Sequence, residues 1–105
     1  MWRVSGNTLT AAEGDYGIQL PITVSGTTLT SSDTLKFTFK GATNGTTVLE
    51  KELAPTNNTV NLEFTAAESE LFEVGVYVYS LDWYQNGIFM CNLIPKGIFK
   101  VVDKV

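Results

Sequence analysis

Carboxylates are the side chains of this 105-residue chain that could do acid–base chemistry, because the sequence contains no histidine. A pair of carboxylates can hydrolyse a glycosidic bond, one acting as the acid and the other as base or nucleophile. The candidates are Glu50 with Glu52, Glu63, and Glu68 with Glu70 and Glu73. The first pair alternates with Leu49 and Lys51 on a predicted strand, which indicates a solvated face. The last group lies on a predicted helical turn, where acids complement the helix dipole. We therefore expect structural carboxylates, no catalytic residues and no enzyme.

The sequence argues against several other kinds of site. With no histidine and a single cysteine, neither a Ser-His-Asp triad, nor a Cys-His pair, nor a Cys-His zinc site can form. Residues 41–45 contain two glycines but lack the lysine and the helix of a phosphate-binding loop. Glu13 and Asp15 are conceivable calcium ligands, but they lack the ligand-dense loop that calcium usually requires. We expect no metal and no cofactor.

Composition also limits the partners. The net charge is −4, and the seven lysines and arginines are dispersed along the chain. Nucleic-acid binding requires a basic stripe that displaces counterions, so we expect no nucleic-acid partner. No apolar run has membrane-spanning length, and residues 1–7 lack the apolar segment of a secretory signal. We therefore expect neither membrane insertion nor an export signal. Cys91 has no second cysteine to pair with and lies among apolar neighbours, which predicts a small buried hydrophobe.

The elements that must position any site are strands. Apolar and polar residues alternate, and turn-forming residues recur about every eight to twelve positions, which predicts a single sandwich or barrel domain over residues 1–105. The strands predicted in the first two-thirds of the chain cover residues 7–12, 16–24, 34–40, 47–53 and 60–64. Pro21 cannot donate to a strand ladder, so the second of these should be an edge strand or carry a bulge.

A short helical turn is predicted near residues 66–73. The Thr65 hydroxyl can accept the backbone N–H of Glu68 while the Glu68 side chain reaches back, which is a capping box. Leu71 and Phe72 should anchor this turn, and Gly75 should end it.

Asn86 and Gly87 predict a two-residue hairpin loop with a type I′ turn, because both residues tolerate positive φ. An uninterrupted register from this turn pairs Tyr84 with Phe89, Trp83 with Met90, Asp82 with Cys91 and Tyr79 with Ile94. One face of the hairpin then carries Tyr77, Tyr79, Leu81, Trp83, Met90 and Ile94. The other face carries Val76, Val78, Tyr84, Phe89, Cys91 and Leu93.

Both faces of this hairpin are therefore apolar. An open antiparallel sheet normally turns one polar face to water, so the second face of this hairpin should be covered. A loop or Trp2 could cover it, the strands could lie centrally in a thick core, or another subunit could bind there. If a subunit binds, the candidate interface residues are Val76, Val78, Trp83, Tyr84, Phe89 and Leu93.

Three segments in the last two-fifths of the chain resemble a known pattern. They are residues 65–71 (TAAESEL), 75–81 (GVYVYSL) and 95–101 (PKGIFKV). Their order, with the hairpin between the last two, resembles the N-terminal domain of the upper baseplate proteins of tailed siphophages that infect Gram-positive bacteria. Family members commonly carry an acid after the second tyrosine, where this chain has Ser80. The fold-motif residues are Thr65, Glu68, Gly75, Tyr77, Tyr79, Asn86, Gly87 and Gly97.

The resemblance implies an all-β fold, an immunoglobulin-like antiparallel β-sandwich of about seven to eight strands, with Tyr77 as the tyrosine corner that bonds back to its own backbone. It also implies a non-catalytic structural module of a phage or prophage tail, which belongs to the virion and is assembled in the bacterial cytoplasm. Its partners would be other tail or baseplate proteins, and it could self-associate into a homo-oligomer.

Two other functions are compatible with the residues. Trp2, Trp83 and Tyr84 near the hairpin turn could form an aromatic platform for host-surface carbohydrate. The chain could also be an extracellular adhesion sandwich domain cut from a longer polypeptide.

Overall fold

A computed structural model describes residues 3–5, 8–14, 16–17 and 19–103 of the chain. These residues form eight strands and one short helix. In chain order they are β1 Arg3–Ser5, β2 Thr8–Ala12, β3 Leu20–Thr23, β4 Asp33–Gly41, β5 Thr47–Leu53, β6 Thr59–Leu62, α1 Ala66–Ser69, β7 Gly75–Gln85 and β8 Ile88–Val102.

The strands make two sheets that pack as a sandwich. The larger sheet has the order β1-β2-β8-β7-β4-β5, and the smaller one pairs β3 with β6. Neighbouring strands are antiparallel with one exception, because β2 runs parallel to β8 from the pair Thr8 and Ile98 to the pair Ala12 and Val102. The predicted all-β sandwich with one helical turn is confirmed, and this parallel pair is an addition to the expected antiparallel pattern.

The core lies between the two sheets and is built on alternation along β4. Leu35, Phe37 and Phe39 are fully buried, and Lys36 and Thr38 between them point away from the core. The Phe39 ring meets the rings of Phe64, Phe72 and Phe99 edge-on, with centroids 5.6, 5.5 and 5.4 Å away. Burying each of these aromatic side chains contributes about 1.5–3 kcal/mol, so this cluster holds the sheets together.

Some strand boundaries follow the predictions closely and others do not. β5 matches the predicted residues 47–53, whereas β3 is shorter than the predicted residues 16–24. Gly17 interrupts that segment, since its φ is +75° and its N–H donates to the Phe64 carbonyl at 3.0 Å. Pro21 lies on β3, an edge strand, as predicted. β1 was not predicted, and Asn7 of the first predicted strand lies outside the described residues.

The helical turn has the predicted start and an earlier end. Thr65 Oγ1 accepts the Glu68 N–H at 3.2 Å and Glu68 Oε1 accepts the Thr65 N–H at 2.9 Å, which confirms the capping box. The helix ends at Ser69 rather than continuing to Gly75, and the bonds that follow are i→i−3 turns, from the Leu71 N–H to the Glu68 carbonyl at 3.1 Å and from the Phe72 N–H to the Ser69 carbonyl at 3.4 Å. Phe72 is buried, as expected of an anchor, whereas Leu71 is half exposed.

The hairpin register is the largest correction. Tyr84 pairs with Phe89 as predicted, but Trp83 pairs with Cys91 rather than Met90, Asp82 with Asn92 rather than Cys91, and Tyr79 with Gly97 rather than Ile94. The register shifts at three places, and at each β8 contains one residue more than β7. An uninterrupted register could not anticipate these bulges, so the prediction was right only beside the turn.

Candidate interaction surface

β7 is fixed at its start by a tyrosine corner. The Tyr77 hydroxyl accepts the backbone N–H of Glu73 at 2.8 Å and donates to the carbonyl of the same residue at 3.1 Å. The Tyr77 ring packs edge-on against Phe72, with centroids 5.0 Å apart. This arrangement is the one predicted for Tyr77, and it ties the crossing segment after α1 to the first residues of β7.

In the middle of the hairpin, β8 approaches β7 closely through Gly97. A Cβ built on Gly97 would overlap the ring carbons of Tyr79, which lies directly opposite. Only glycine leaves room for this ring, so Gly97 lets the two strands pair again after the bulges. Burial of Tyr79 raises the pKa of its phenol.

The end of the hairpin projects three consecutive apolar side chains into solvent. Asn86 and Gly87 form the turn with φ values of +51° and +79°, as predicted for type I′, and Asn86 N–H donates to the Ser32 carbonyl at 3.0 Å. After it, Ile88, Phe89 and Met90 are 67%, 51% and 44% exposed. We call these three residues the hairpin tip. A run of large exposed apolar residues beside a tight, hydrogen-bonded turn is typical of a contact surface.

β2 does not extend along β8 as far as the hairpin tip. β2 pairs with β8 only from Ile98 to Val102, so in the described part of the chain residues 88–97 of β8 form a free strand edge. All three bulges fall within this free edge. Bulges on an edge strand discourage the addition of another strand, so the tip offers side chains rather than backbone groups to a partner.

Cys91 lies beside the tip and is exposed, which corrects the prediction of a small buried hydrophobe. The bulge at Met90 places Cys91 opposite Trp83 instead of Asp82. Cys91 belongs to the same free edge of β8.

The side of the large sheet that faces away from the core carries most of the predicted interface residues. We call it the outer face and define it on β7 by Val76, Val78, Ser80, Asp82 and Tyr84, with the residues paired to them on β4, β5 and β8. Val76 is 52% exposed. The Tyr84 ring lies against Phe89, with centroids 5.6 Å apart, and the ammonium of Lys36 lies 5.9 Å from the Tyr84 centroid.

Trp83 and Leu93, the other two predicted interface residues, do not lie on the outer face. Both are partly buried and pack against the core. The Trp83 indole N–H donates to Asp33 Oδ1 at 2.9 Å, and Asp33 is buried. The Thr30 backbone N–H, 2.6 Å from Asp33 Oδ2, and the Trp83 indole together hold the pKa of Asp33 below its ordinary value of 3.8. Trp83 is therefore a residue that ties β7 to the start of β4.

The carboxylates proposed from sequence as acid–base candidates have structural partners in several cases. Glu50 pairs with Lys36 at 2.9 Å, and this bond raises the pKa of the lysine. Glu68 Oε1 lies 2.7 Å from the ammonium of Lys51, which also donates to the Glu63 carbonyl. Burial raises the pKa of Glu68, but the Lys51 and Thr65 bonds outweigh it, so the pKa is lowered overall.

Glu70 and Glu73 line a hollow of about 400 Å³ together with Glu13 and Tyr16. No three metal-ligating side chains come together anywhere in the described ranges. Asp15, the second calcium candidate, lies outside them, as does Trp2.

Sequence reasoning missed the contribution of Ile88 to the exposed surface and misplaced Met90 and Cys91. The run of three large apolar residues directly after a tight turn was the available signal.

Within the described segments no helix is long and apolar enough to cross a membrane. No family model, no curated protein and no solved structure matches this chain.

Proposed function

We propose that this chain is a non-catalytic structural module of a phage or prophage tail, of the baseplate type, that binds other tail proteins through its hairpin tip. The observation that carries the proposal is the exposure of Ile88, Phe89 and Met90 directly after a tight turn. Interface energy concentrates in a few large apolar or aromatic side chains, and a preorganised loop loses little entropy on binding.

The resemblance of residues 65–101 to the upper baseplate proteins supports the tail assignment. The residues of that motif have architectural roles here: Thr65 and Glu68 cap α1, Tyr77 bonds to Glu73, and Gly97 accommodates the Tyr79 ring. Architecture alone does not fix function, so the tip supplies the functional part of the proposal.

The carbohydrate alternative lacks a comparable observation. A sugar platform needs exposed aromatic rings with free polar groups beside them, whereas the Trp83 indole N–H donates to Asp33 and the ring packs against the core. Tyr84 is covered in part by Phe89.

The test is a binding titration against the purified tail proteins encoded beside the gene for this chain. Wild-type protein should bind one of them, and the double variant Ile88→Ser with Met90→Ser should bind at least tenfold more weakly, because each loses a central apolar contact. Leu71→Ser is the matched control, since Leu71 is 50% exposed on another surface and its loss should leave binding unchanged.

Circular dichroism and thermal melting should show that all three proteins are folded. The proposal fails if the tip variant binds like the wild type. It also fails if none of the tail proteins binds while cell-wall polysaccharide shifts the tryptophan fluorescence of the wild type.

A further inference from the structure

Lysines that have no carboxylate partner are gathered on one half of the outer face. Lys36 and Lys51 are held in ion pairs by glutamates. The other lysines in the described part of the chain are Lys40, Lys96 and Lys100, and no described carboxylate lies within ion-pair distance of them. All three are exposed, and each is next to a buried residue in its strand, so their side chains point away from the core.

This half of the large sheet is basic against the overall charge of the chain. Four segments build it: residues 8–12, 37–49, 74–81 and 93–102. Their only charged residues are the three lysines, although the whole chain has 11 acidic residues and seven basic ones. Glu50 lies opposite Thr38 at the border of this half, and its carboxylate is bound to Lys36 at 2.9 Å. The positive charge of this half is therefore not neutralised by neighbouring side chains of the same segments.

Two of these lysines line a hollow of about 210 Å³ on the outer face. Its lining residues are Thr38, Lys40, Val78, Tyr79, Ser80 and Lys96. Thr38 and Ser80 pair with each other across β4 and β7, and neither hydroxyl is bonded to another described residue. The ammonium groups and the hydroxyls are all hydrogen-bond donors, and none of the lining side chains is acidic. Such a hollow favours an anion.

A bulge in β8 brings Lys96 to this hollow. Ser80 of β7 faces two residues of β8, Pro95 and Lys96, because the register shifts at this point. Gly97, the next residue, is buried and Lys96 is exposed, so Lys96 lies on the outer face beside Ser80. Bulges are often found beside functional sites, where they redirect a side chain.

Lys40 and Lys96 are placed so that both can reach one ligand. They belong to the two strands that flank β7, where Lys40 lies opposite Val78 and Lys96 opposite Ser80. Strands about 4.8 Å apart with a rise of about 3.4 Å per residue separate the two Cα atoms by roughly 12 Å. An extended lysine side chain, with its flexible four-carbon stem, covers about half of that distance. Both ammonium groups can therefore contact an anion that lies between them.

We propose that the hollow between Lys40 and Lys96 binds a phosphate group. The two ammonium groups supply positive charge, and the hydroxyls of Thr38 and Ser80 supply further donors. This donor set suits the several oxygens of a phosphate better than the two oxygens of a carboxylate, and lysine is a common phosphate ligand. The site goes beyond the proposed function, because it binds a small anion on the outer face, away from the hairpin tip.

The experiment follows amide chemical shifts by NMR spectroscopy while inorganic phosphate is added. Sodium chloride holds the ionic strength constant, so that general screening does not change during the titration. Wild-type protein should show saturable shifts at residues 38–40, 78–80 and 96–97, with a dissociation constant in the millimolar range. Lys40→Gln and Lys96→Gln should each raise this constant at least fivefold, and the unchanged signals elsewhere in their spectra should show that both variants are folded.

Lys100→Gln is the matched control, because it removes the same charge from the same face but lies outside the hollow. It should change the dissociation constant less than twofold. Shifts that rise linearly up to the highest phosphate concentration would overturn the inference. Equal losses of affinity in all three lysine variants would also overturn it, since they indicate general attraction to a basic face and not a site.

Free phosphate and a phosphate ester share the chemistry that this hollow recognises, and glycerol phosphate distinguishes the two sources. Equal or weaker binding of the ester assigns the site to free phosphate. Tighter binding assigns it to an ester whose organic part contacts Ile98, which is 40% exposed and pairs with Val78. The tip variant Ile88→Ser with Met90→Ser should bind phosphate like the wild type, so this inference and the proposed function can fail separately.

Discussion

The indole N–H of Trp83 donates to the buried carboxylate of Asp33 at 2.9 Å, across 50 positions of sequence. This bond joins the end of β7 to the start of β4. The other oxygen of the Asp33 carboxylate accepts the backbone N–H of Thr30, in the turn before β4. It explains why a large aromatic residue near the hairpin tip is part of the folded core and not of the exposed surface.

Trp83→Phe should therefore lower the free energy of unfolding by about 1–3 kcal/mol, because it removes a donor to a buried charged acceptor while keeping an aromatic ring. Urea denaturation measures the effect. In an Asp33→Ala background the same substitution should have a much smaller effect, since the acceptor is already gone. Equal effects in both backgrounds would show that the ring and not the hydrogen bond matters.

Tyr77→Phe should lower the free energy of unfolding by about 1–2 kcal/mol, because two hydrogen bonds to Glu73 are lost while the ring keeps its contact with Phe72. Chemical denaturation again gives the value. Tyr84→Phe removes a hydroxyl from the outer face and serves as the control, with little expected change. If the two variants lose equal stability, the tyrosine corner has no special role.

Gly97→Ala should lower the free energy of unfolding by about 1–3 kcal/mol, since the added methyl group overlaps the Tyr79 ring. The partner substitution Tyr79→Leu provides the test of mechanism. The loss in the double variant should be clearly smaller than the sum of the two single losses, because the smaller side chain makes room for the methyl group. Additive losses would contradict the close approach of these two residues.

Stability should decrease in acid. Asp33 and Glu68 both have a pKa in the folded chain below their ordinary values of 3.8 and 4.5, so protonation of either group is harder in the folded state than in the unfolded state. Their contribution is complete above those ordinary values and is lost as the pH falls through the lower folded values. Urea midpoints measured from pH 7 to pH 3 should fall mainly below about pH 4.5.

Glu68→Gln should make this acid dependence shallower, whereas Glu70→Gln, a substitution at the end of the same helical turn, should leave it as in the wild type. A midpoint that stays constant between pH 5 and pH 3 would show that these carboxylates do not stabilise the fold through their charges.

The parts of the fold that local chemistry determines could be predicted from the sequence. The capping box of Thr65 and Glu68, the turn of Asn86 and Gly87, and the corner at Tyr77 each depend on residues within four positions of one another. These contacts join residues that are close in sequence, so their formation does not depend on how distant strands pair.

The register of β8 depended on distant contacts and could not be predicted in this way. Its three bulges fit residues 88–101 to the shorter β7, and one shift lies next to Gly97, where the Tyr79 ring requires a glycine. Each bulge moved the following residues relative to β7, so Cys91 and Leu93 were assigned to the wrong surroundings. The prediction that one face carries Val76, Val78, Tyr84 and Phe89 was correct, because the extra residues of the bulges lie in β8. Three of the four residues belong to β7, and Phe89 lies beside the turn, before the first bulge.

The modification rate of the Cys91 thiol tests the central claim, that the hairpin tip is a contact surface for other proteins, most directly. Cys91 is exposed next to Met90, so a maleimide should react with one thiol per chain in native buffer. Addition of the tail protein bound by this chain should slow that reaction at least tenfold, because the partner covers the hairpin tip. A thiol that reacts only in denaturant, or a rate that the bound tail protein leaves unchanged, would contradict the claim.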